Sequence, residues 1–216
     1  MTESTLTTTH GTLSINTYGT PGKPDVLLLH GMSTSQKGFR PIVENADLLS
    51  NYRITTFDFP GHGSSTNAPD PPTTYTFPSF ASAAIAVLQH LNITKVAIYG
   101  HSMGGHVAIE LVHRLTSANP ELDIKVSGYM ITGTGPCKGR EQFQESYATD
   151  SPATLRRQVL PPDESLQQFV KDVYSAEHQE CWMLEDSRRS DETAKKHVFG
   201  AATSEEALDE RKFIEG

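Results

Sequence analysis

The residues best suited to chemistry form the pentapeptide Gly-His-Ser-Met-Gly at positions 100–104. It follows an apolar run at 95–99 and opens an amphipathic run at 103–115. A Gly-x-Ser-x-Gly between a strand and a helix predicts a turn so tight that the serine backbone is strained and its hydroxyl projects from the sheet. A Cβ in place of either glycine would clash with the neighbouring strand and helix. The sequence therefore predicts that Ser102 is an oxygen nucleophile.

Two further motifs follow apolar runs that are short enough for fully buried strands. Residues 26–29 lead into His-Gly-Met-Ser at 30–33, and residues 54–57 lead into Asp-Phe-Pro-Gly-His-Gly-Ser-Ser at 58–65. Loops that follow parallel strands lie at the carboxyl edge of the sheet. We therefore expect both loops at the edge that carries Ser102.

In this order, the motifs resemble those of the α/β-hydrolase fold superfamily, over residues from about 12 to 131. The resemblance implies an α/β fold with a mostly parallel sheet and helices on both faces. It also implies a serine hydrolase that acts on an ester, thioester, amide or lactone through an acyl-Ser102 intermediate. The backbone N–H groups of Met32 and Met103 would form the oxyanion hole. The expected partner is a small-molecule acyl substrate.

The acid and base that activate the serine are not found in this sequence. In this superfamily they follow the nucleophile in the order Asp or Glu, then His, each after a later strand. No strand pattern is found after Gly135, and Thr-Gly-Thr-Gly at 132–135 contains no carboxylate. We therefore expect that the last two strands are missing, that the chain is truncated, and that it is inactive by itself.

None of the nine histidines is a convincing substitute for the base. The pair Asp191 and His197 repeats the family order, but both residues fall on a polar helical segment. By resemblance, His30 and His62 order their loops, and His101 points away from the serine. The remaining histidines are expected to pack on helices, lie at the surface or fall in the C-terminal helical segment: His10, His90, His106, His113 and His178.

Three functional interpretations stay open. The first is the serine hydrolase in truncated form, and the second is a natural short chain that binds a small molecule without catalysis. The third is a complete enzyme whose acid and base come from the helical segment or a second subunit. Within the superfamily, a cofactor-free haloperoxidase is compatible with the serine. The segment 128–136 and the charged helices after it are similar to α/β-hydrolases that open N-acyl-homoserine lactones.

Strand and helix patterns alternate over the first 135 residues, which predicts helices on both faces of a mostly parallel sheet. The predicted strands are 5–9, 12–18, 25–29, 53–57, 95–99 and 124–131, and the predicted helices are 39–49, 77–91 and 103–115. Thr76 is expected to cap the second of these helices. Without later neighbours, the strand at 124–131 becomes an exposed apolar edge, so we expect self-association there.

The composition changes near Gly135. Asp, Glu, Lys and Arg make up 16 of the first 136 residues and 28 of the last 80. The second part is predicted to be helical: 141–149, 164–174, 176–189, 191–199 and 205–213. We therefore divide the chain into a hydrolase core, residues 1–135, and a helical cap or lid region, residues 136–216.

Charge and composition exclude several classes of partner. The net charge of −8 and the absence of a basic run argue against nucleic acid. No apolar stretch is long enough for a membrane span, and the polar N-terminus does not resemble a signal peptide. Cys137 and Cys181 are expected to be reduced thiols in a cytoplasmic protein. No spacing of ligands predicts a metal ion, and no motif predicts a cofactor.

Overall fold

The computed structural model describes residues 1–117, 122–146, 162–204 and 206–216. Its centre is a six-stranded sheet in the order β1-β2-β4-β3-β5-β6. The strands are β1 (Thr2–Thr8), β2 (Gly11–Tyr18), β3 (Asp25–Leu29), β4 (Arg53–Phe57), β5 (Lys95–His101) and β6 (Lys125–Thr132). β2 is antiparallel to both β1 and β4, and β4, β3, β5 and β6 are parallel. The predicted α/β fold with a mostly parallel sheet is confirmed.

Helices cover both faces of the sheet, as predicted. The α-helices are α1 (Arg40–Val43), α2 (Ala46–Asn51), α3 (Pro71–Thr74), α4 (Phe77–His90), α5 (Met103–Thr116), α6 (Gly139–Ser146), α7 (Pro162–Val173), α8 (Cys181–Arg189), α9 (Glu192–Ala202) and α10 (Glu210–Glu215). Side chains alternate between the two faces of a strand. Leu27 and Leu29 of β3 therefore belong to the core that holds α4 and α5, whereas Leu28 packs with residues of α1 and α2.

Two predicted helices are interrupted, and the helix predicted over 205–213 begins only at Glu210. In place of a helix over 39–49, a 3₁₀ turn and α1 precede α2, and the Asn45 side chain caps α2 by accepting a 3.0 Å hydrogen bond from Leu48 N. In place of a helix over 176–189, α8 begins only at Cys181. The end of the helix predicted at 141–149 lies outside the described residues. The predicted cap at Thr76 is confirmed, because its hydroxyl accepts a hydrogen bond from Ser79 N.

Only helices and turns follow β6 in the described residues, as the sequence predicted. In that part of the chain β6 pairs with β5 alone, and its side chains Tyr129 and Met130 are 38% and 59% exposed. β6 therefore forms an edge of the described sheet with apolar groups facing outward. None of the described helices has the length and apolar character needed to cross a membrane.

Candidate active site

Ser102 occupies a strained turn between β5 and α5, with φ 54° and ψ −120°. This left-handed backbone conformation is unfavourable for a residue with a side chain, so contacts with neighbouring residues must stabilise it. Ser102 N donates to Thr132 O over 2.8 Å, and its carbonyl accepts hydrogen bonds of 2.9 Å from Gly105 N and Thr134 Oγ1. The end of β6 thus fixes the serine at the carboxyl edge of the sheet.

The glycines around Ser102 are required by close packing. A Cβ on Gly104 would lie 2.1 Å from the carbonyl oxygen of Leu29, so the first turn of α5 rests on the backbone of β3. A Cβ on Gly100 would lie 2.3 Å from Gly104 O. The strained turn and the two required glycines are as the sequence predicted.

The loop that carries Met32 lies against the serine. β3 and β5 are parallel and pair Leu29 with Gly100, so the residues after them leave the sheet side by side. A Cβ on Gly31 would lie only 3.3 Å from Ser102 Cβ. Among the described residues, the N–H groups of Met32 and Met103 have no hydrogen-bond acceptor. Two backbone donors are therefore free next to the serine.

His30 holds this loop as a neutral imidazole. Its Nδ1 lies 2.8 Å from Gly31 O, and its Nε2 accepts a 3.0 Å hydrogen bond from Phe59 N. Since Nε2 is an acceptor, Nδ1 carries the proton and donates to Gly31 O. Complete burial lowers the pKa of His30 to about 4, so the ring is uncharged at neutral pH. The predicted role of His30, ordering its loop by hydrogen bonds, is confirmed.

Asp58 ties the loop after β4 to the segment that follows Met32. Its carboxylate accepts hydrogen bonds from Gln36 N (2.8 Å), Gln36 Nε2 (3.2 Å) and Ser64 N (2.8 Å). Burial raises the pKa of Asp58, and these hydrogen bonds offset part of that increase. The carboxylate is thus occupied with backbone and amide donors, which is a structural role.

Helix α8 also contacts the loop of Met32, which the sequence analysis did not predict. Ser187 Oγ donates a 3.0 Å hydrogen bond to Ser33 O, and Ser35 Oγ donates to the Asp186 carboxylate. Lys37 Nζ pairs with the same carboxylate at 3.2 Å. Ser33 has φ 59° and is fully buried. The strained loop is therefore held from a helix that lies about 150 residues later in the chain.

No base contacts the serine within the part of the chain that the structure describes. None of the described residues forms a hydrogen bond with Ser102 Oγ. Asp191 accepts a 2.5 Å hydrogen bond from Tyr75 Oη and caps α9. In the described part of the chain, no hydrogen bond joins Asp191 to His197, so the two do not form an acid–base pair there. His106 is buried, as expected, but it also contacts Glu210, a partner that the sequence analysis missed.

A cavity of about 310 Å³ lies beside the strained turn. Gly31, Thr34 and His101 line it from the sheet edge, and Val173 and Tyr174 line it from the C-terminal helical region. Burial lowers the pKa of His101, so its ring is neutral at pH 7. The cavity therefore borders the loop of Met32 through Gly31 and Thr34, and the side chains that line it are uncharged.

A protein-family model described as alpha/beta hydrolase fold matches residues 24–202. The chain belongs to the α/β hydrolase family. This α/β hydrolase is 35% identical over 105 residues to the magnesium-chelatase 30 kDa subunit of Rhodobacter capsulatus, covering 46% of this chain and 36% of that protein. It is 30% identical over 118 residues to the uncharacterized hydrolase YugF of Bacillus subtilis, covering 52% and 40%. The chain thus spans two fifths or less of the length of these relatives.

Solved structures of hydrolases share the whole described architecture. N-acyl homoserine lactonase AidH, complexed with N-butanoyl homoserine, superimposes with a TM-score of 0.82 at 27% identity, over 99% of this chain and 74% of that chain. A hydrolase from Pseudomonas aeruginosa has a TM-score of 0.68 at 19% identity, over 94% and 72%. The second likeness supports the fold alone. The predicted membership of the α/β-hydrolase superfamily is confirmed.

Proposed function

We propose that this α/β hydrolase is a serine hydrolase whose nucleophile is Ser102. The Ser102 oxygen attacks the acyl carbon while a base takes the hydroxyl proton, which gives an acyl-Ser102 ester and an alcohol, amine or thiol. Water then hydrolyses the ester. The N–H groups of Met32 and Met103 would stabilise the oxyanion of each tetrahedral intermediate. The observation that carries this proposal is the strained φ of Ser102 next to two free backbone donors.

We propose that the acid and base lie outside the described residues. No described imidazole contacts the Ser102 hydroxyl, and a serine without a base is a poor nucleophile. In measured serine hydrolases, loss of the base reduces turnover on the order of 10⁶-fold. The 216-residue chain should therefore be nearly inactive unless an external base is supplied.

The substrate class that we favour is a lactone of the N-acyl homoserine type. The support is the likeness to AidH, whose structures include complexes with N-hexanoyl homoserine and, for a serine-to-glycine mutant, with N-hexanoyl homoserine lactone. On a lactone, attack by Ser102 breaks the ring ester bond. The leaving alcohol is part of the same acyl group, so water breaks only the ester bond to Ser102 and releases a single ring-opened hydroxy acid. A cofactor-free haloperoxidase is the other activity compatible with the same serine.

We further propose that residues 136–216 act as a cap or lid over the site. The contacts of Asp186 and Ser187 with the loop of Met32 support this role. Through them, a movement of the cap would also move the proposed oxyanion donor, Met32 N–H. An apolar cover would exclude water from the acyl intermediate. The exposed side of β6 is, in the same proposal, a site of self-association.

A fluorophosphonate probe tests the nucleophile. We expect slow labelling of the chain, faster labelling when free imidazole is added as an external base, and no labelling of Ser102→Ala. Ser50→Ala, on the exposed helix α2, serves as a matched control that should label like the parent chain. Equal labelling of the Ser102→Ala variant would refute the assignment.

The same experiment addresses the second candidate, a protein that binds a small molecule without catalysis. The absence of a described base at Ser102 favours it. If N-hexanoyl homoserine lactone binds, yet the probe does not label Ser102 even with imidazole present, binding without catalysis is the better description. Opening of the lactone only with imidazole, and only with Ser102 present, would support the hydrolase.

A further inference from the structure

Three metal-ligating side chains meet behind the nucleophile turn, away from the cavity beside Ser102. They are His106 on α5, Cys137 in the segment after β6, and Glu210 at the start of α10. Their ligand atoms all lie within 4.8 Å of one another, and the residues are 1%, 3% and 5% exposed. Because three separate parts of the chain contribute, no spacing in the sequence predicts this cluster.

Neighbouring contacts hold the cluster in position. His106 Nδ1 lies 2.9 Å from Glu210 Oε1 and 2.8 Å from Oε2, so the imidazole faces both carboxylate oxygens. Cys137 N donates a 3.0 Å hydrogen bond to Glu210 Oε2, which brings the thiol to the same place. Phe77 stacks on the His106 ring with the two planes 4° apart, which fixes the ring orientation. Ligand side chains fixed by a second layer of contacts are typical of protein metal sites.

The separations are close to those that a tetrahedral ion requires. Zinc binds nitrogen and oxygen at about 2.0 Å and sulfur at about 2.3 Å, so neighbouring ligand atoms lie about 3.3–3.5 Å apart. The imidazole and carboxylate atoms would move apart by about half an ångström and the sulfur would move inward. Binding of the ion would therefore require the Cys137 and Glu210 side chains to rotate.

The charges that the three side chains can carry suit a divalent ion. A carboxylate buried beside a sulfur atom is costly unless a positive charge compensates it. One doubly charged ion neutralises one carboxylate and one thiolate, and the imidazole binds in its neutral form. Imidazole, thiolate and carboxylate together suit zinc better than magnesium or calcium, which prefer oxygen ligands alone.

A cavity of about 250 Å³ borders this cluster and provides access to it. Cys137 and Glu210 form part of its wall, together with Phe77, Ala202 and Leu208. A water molecule or small ligand entering from the cavity can complete a fourth coordination position. We propose that His106, Cys137 and Glu210 bind one zinc ion.

The bound ion would join three parts of the chain around the nucleophile helix. α5 begins at Met103, one of the two proposed oxyanion donors, and α10 contacts α5 through Glu210. A ligand that binds only the folded chain stabilises it by mass action. Zinc at this site should therefore raise the stability of the α5–α10 contact and of the chain.

Cobalt(II) added to the full chain tests the proposal, because a cobalt–thiolate bond gives a charge-transfer absorption in the near ultraviolet. We expect one cobalt per chain with this band, and displacement of cobalt by zinc. Cys137→Ser should abolish the band. Cys181→Ser should retain it, since Cys181 is exposed and lies outside the cluster. A simple ion pair between His106 and Glu210 would give no such band.

Glu210→Gln keeps the side-chain shape and the acceptor for Cys137 N, and it tests the third ligand. Loss of outer contacts already weakens metal sites roughly 10–100-fold, so loss of a ligand should weaken zinc binding at least that much. Zinc should also raise the melting temperature of the parent chain and of Cys181→Ser, but not of Cys137→Ser. Absence of the cobalt band in the parent chain, or its loss in Cys181→Ser with retention in Cys137→Ser, would overturn the proposal.

Discussion

Ser187 Oγ donates a 3.0 Å hydrogen bond to Ser33 O, and so connects helix α8 to the loop that presents Met32. The same hydroxyl also donates to Met183 O within α8 over 2.9 Å, so its one proton is shared between the two carbonyl oxygens. Ser33 is buried with φ 59°, a backbone that persists only where its surroundings hold it. The position of one proposed oxyanion donor therefore depends on a helix that is remote in sequence.

Ser187→Ala should release this loop. We expect a loss of about 1 kcal/mol in the free energy of unfolding, because the buried Ser33 carbonyl loses its hydroxyl donor. With imidazole present, we also expect fluorophosphonate to label Ser102 several-fold more slowly than in the parent chain. This difference should remain after correction for any decrease in the fraction of folded protein. Urea unfolding and labelling rates measure the two effects. Ser50→Ala, which removes an exposed hydroxyl, should change neither, and a wild-type labelling rate in Ser187→Ala would contradict the proposed link.

Gly104→Ala should disrupt the nucleophile turn. Its Cβ would approach the Leu29 carbonyl to 2.1 Å, and neither backbone can move without breaking the β3–β5 pairing. We expect destabilisation by about 3 kcal/mol or more. Gly200→Ala is the matched control, because nothing lies within 4 Å of its Cβ position in α9. That change should stabilise the chain by about 0.5–1 kcal/mol. Thermal unfolding of both variants checks the prediction, which fails if Gly104→Ala unfolds like the parent.

Sequence patterns predicted those parts of the site that are set by local structure. The strand before Ser102, the helix after it and the glycines between them are all fixed by contacts of neighbouring segments, so hydrophobic periodicity and turn residues reveal them. The role of His30 could also be predicted, because its partners include the adjacent residue Gly31. The broken helix at 39–49 was missed, since the cap at Asn45 is a single side chain within an apolar pattern.

Contacts between polar residues that are distant in sequence could not be predicted, because they give no periodic pattern in the sequence. Ser187 and Ser33 are 154 positions apart, and Tyr75 and Asp191 are 116 apart. A serine or aspartate in an amphipathic helix looks the same whether it faces solvent or a buried carbonyl. The cluster around Glu210 was missed for the same reason, because its members come from three segments that meet only in the folded chain.

Two buried neutral histidines should make stability depend on pH. Burial lowers the pKa of His30 to about 4 and that of His62 to about 3, from about 6.5 in the unfolded chain. As the pH falls below about 6.5, the unfolded chain takes up protons that the folded chain cannot, so stability decreases. Between about pH 7 and about pH 5 each histidine should reduce the free energy of unfolding by about 2 kcal/mol.

Urea unfolding at these two pH values, with His62→Gln and the exposed His90→Gln as a pair, measures the effect. His62→Gln should show a smaller decrease than the parent chain, whereas His90→Gln should retain the parent's decrease. Asp58 has the opposite effect on stability as the pH falls. Because burial raises its pKa from 3.8, the folded chain binds this proton more readily than the unfolded chain does. A pH-independent stability in the parent chain over this range would contradict the buried neutral state of both rings.

The edge formed by β6 should drive self-association. Its outer side carries Met130, 59% exposed, and strand edges with apolar side chains pair with other chains. Met130→Lys places a charge on this edge and should shift the chain toward monomer, as measured by light scattering over a concentration series. Tyr52→Lys changes another exposed large side chain, 39% exposed at the end of α2 and away from β6, and should leave the association unchanged. Since lysine on an edge strand blocks pairing mainly by its desolvation cost, high salt should not restore the association. A monodisperse monomer of the parent chain at all concentrations would rule out this edge as an interface.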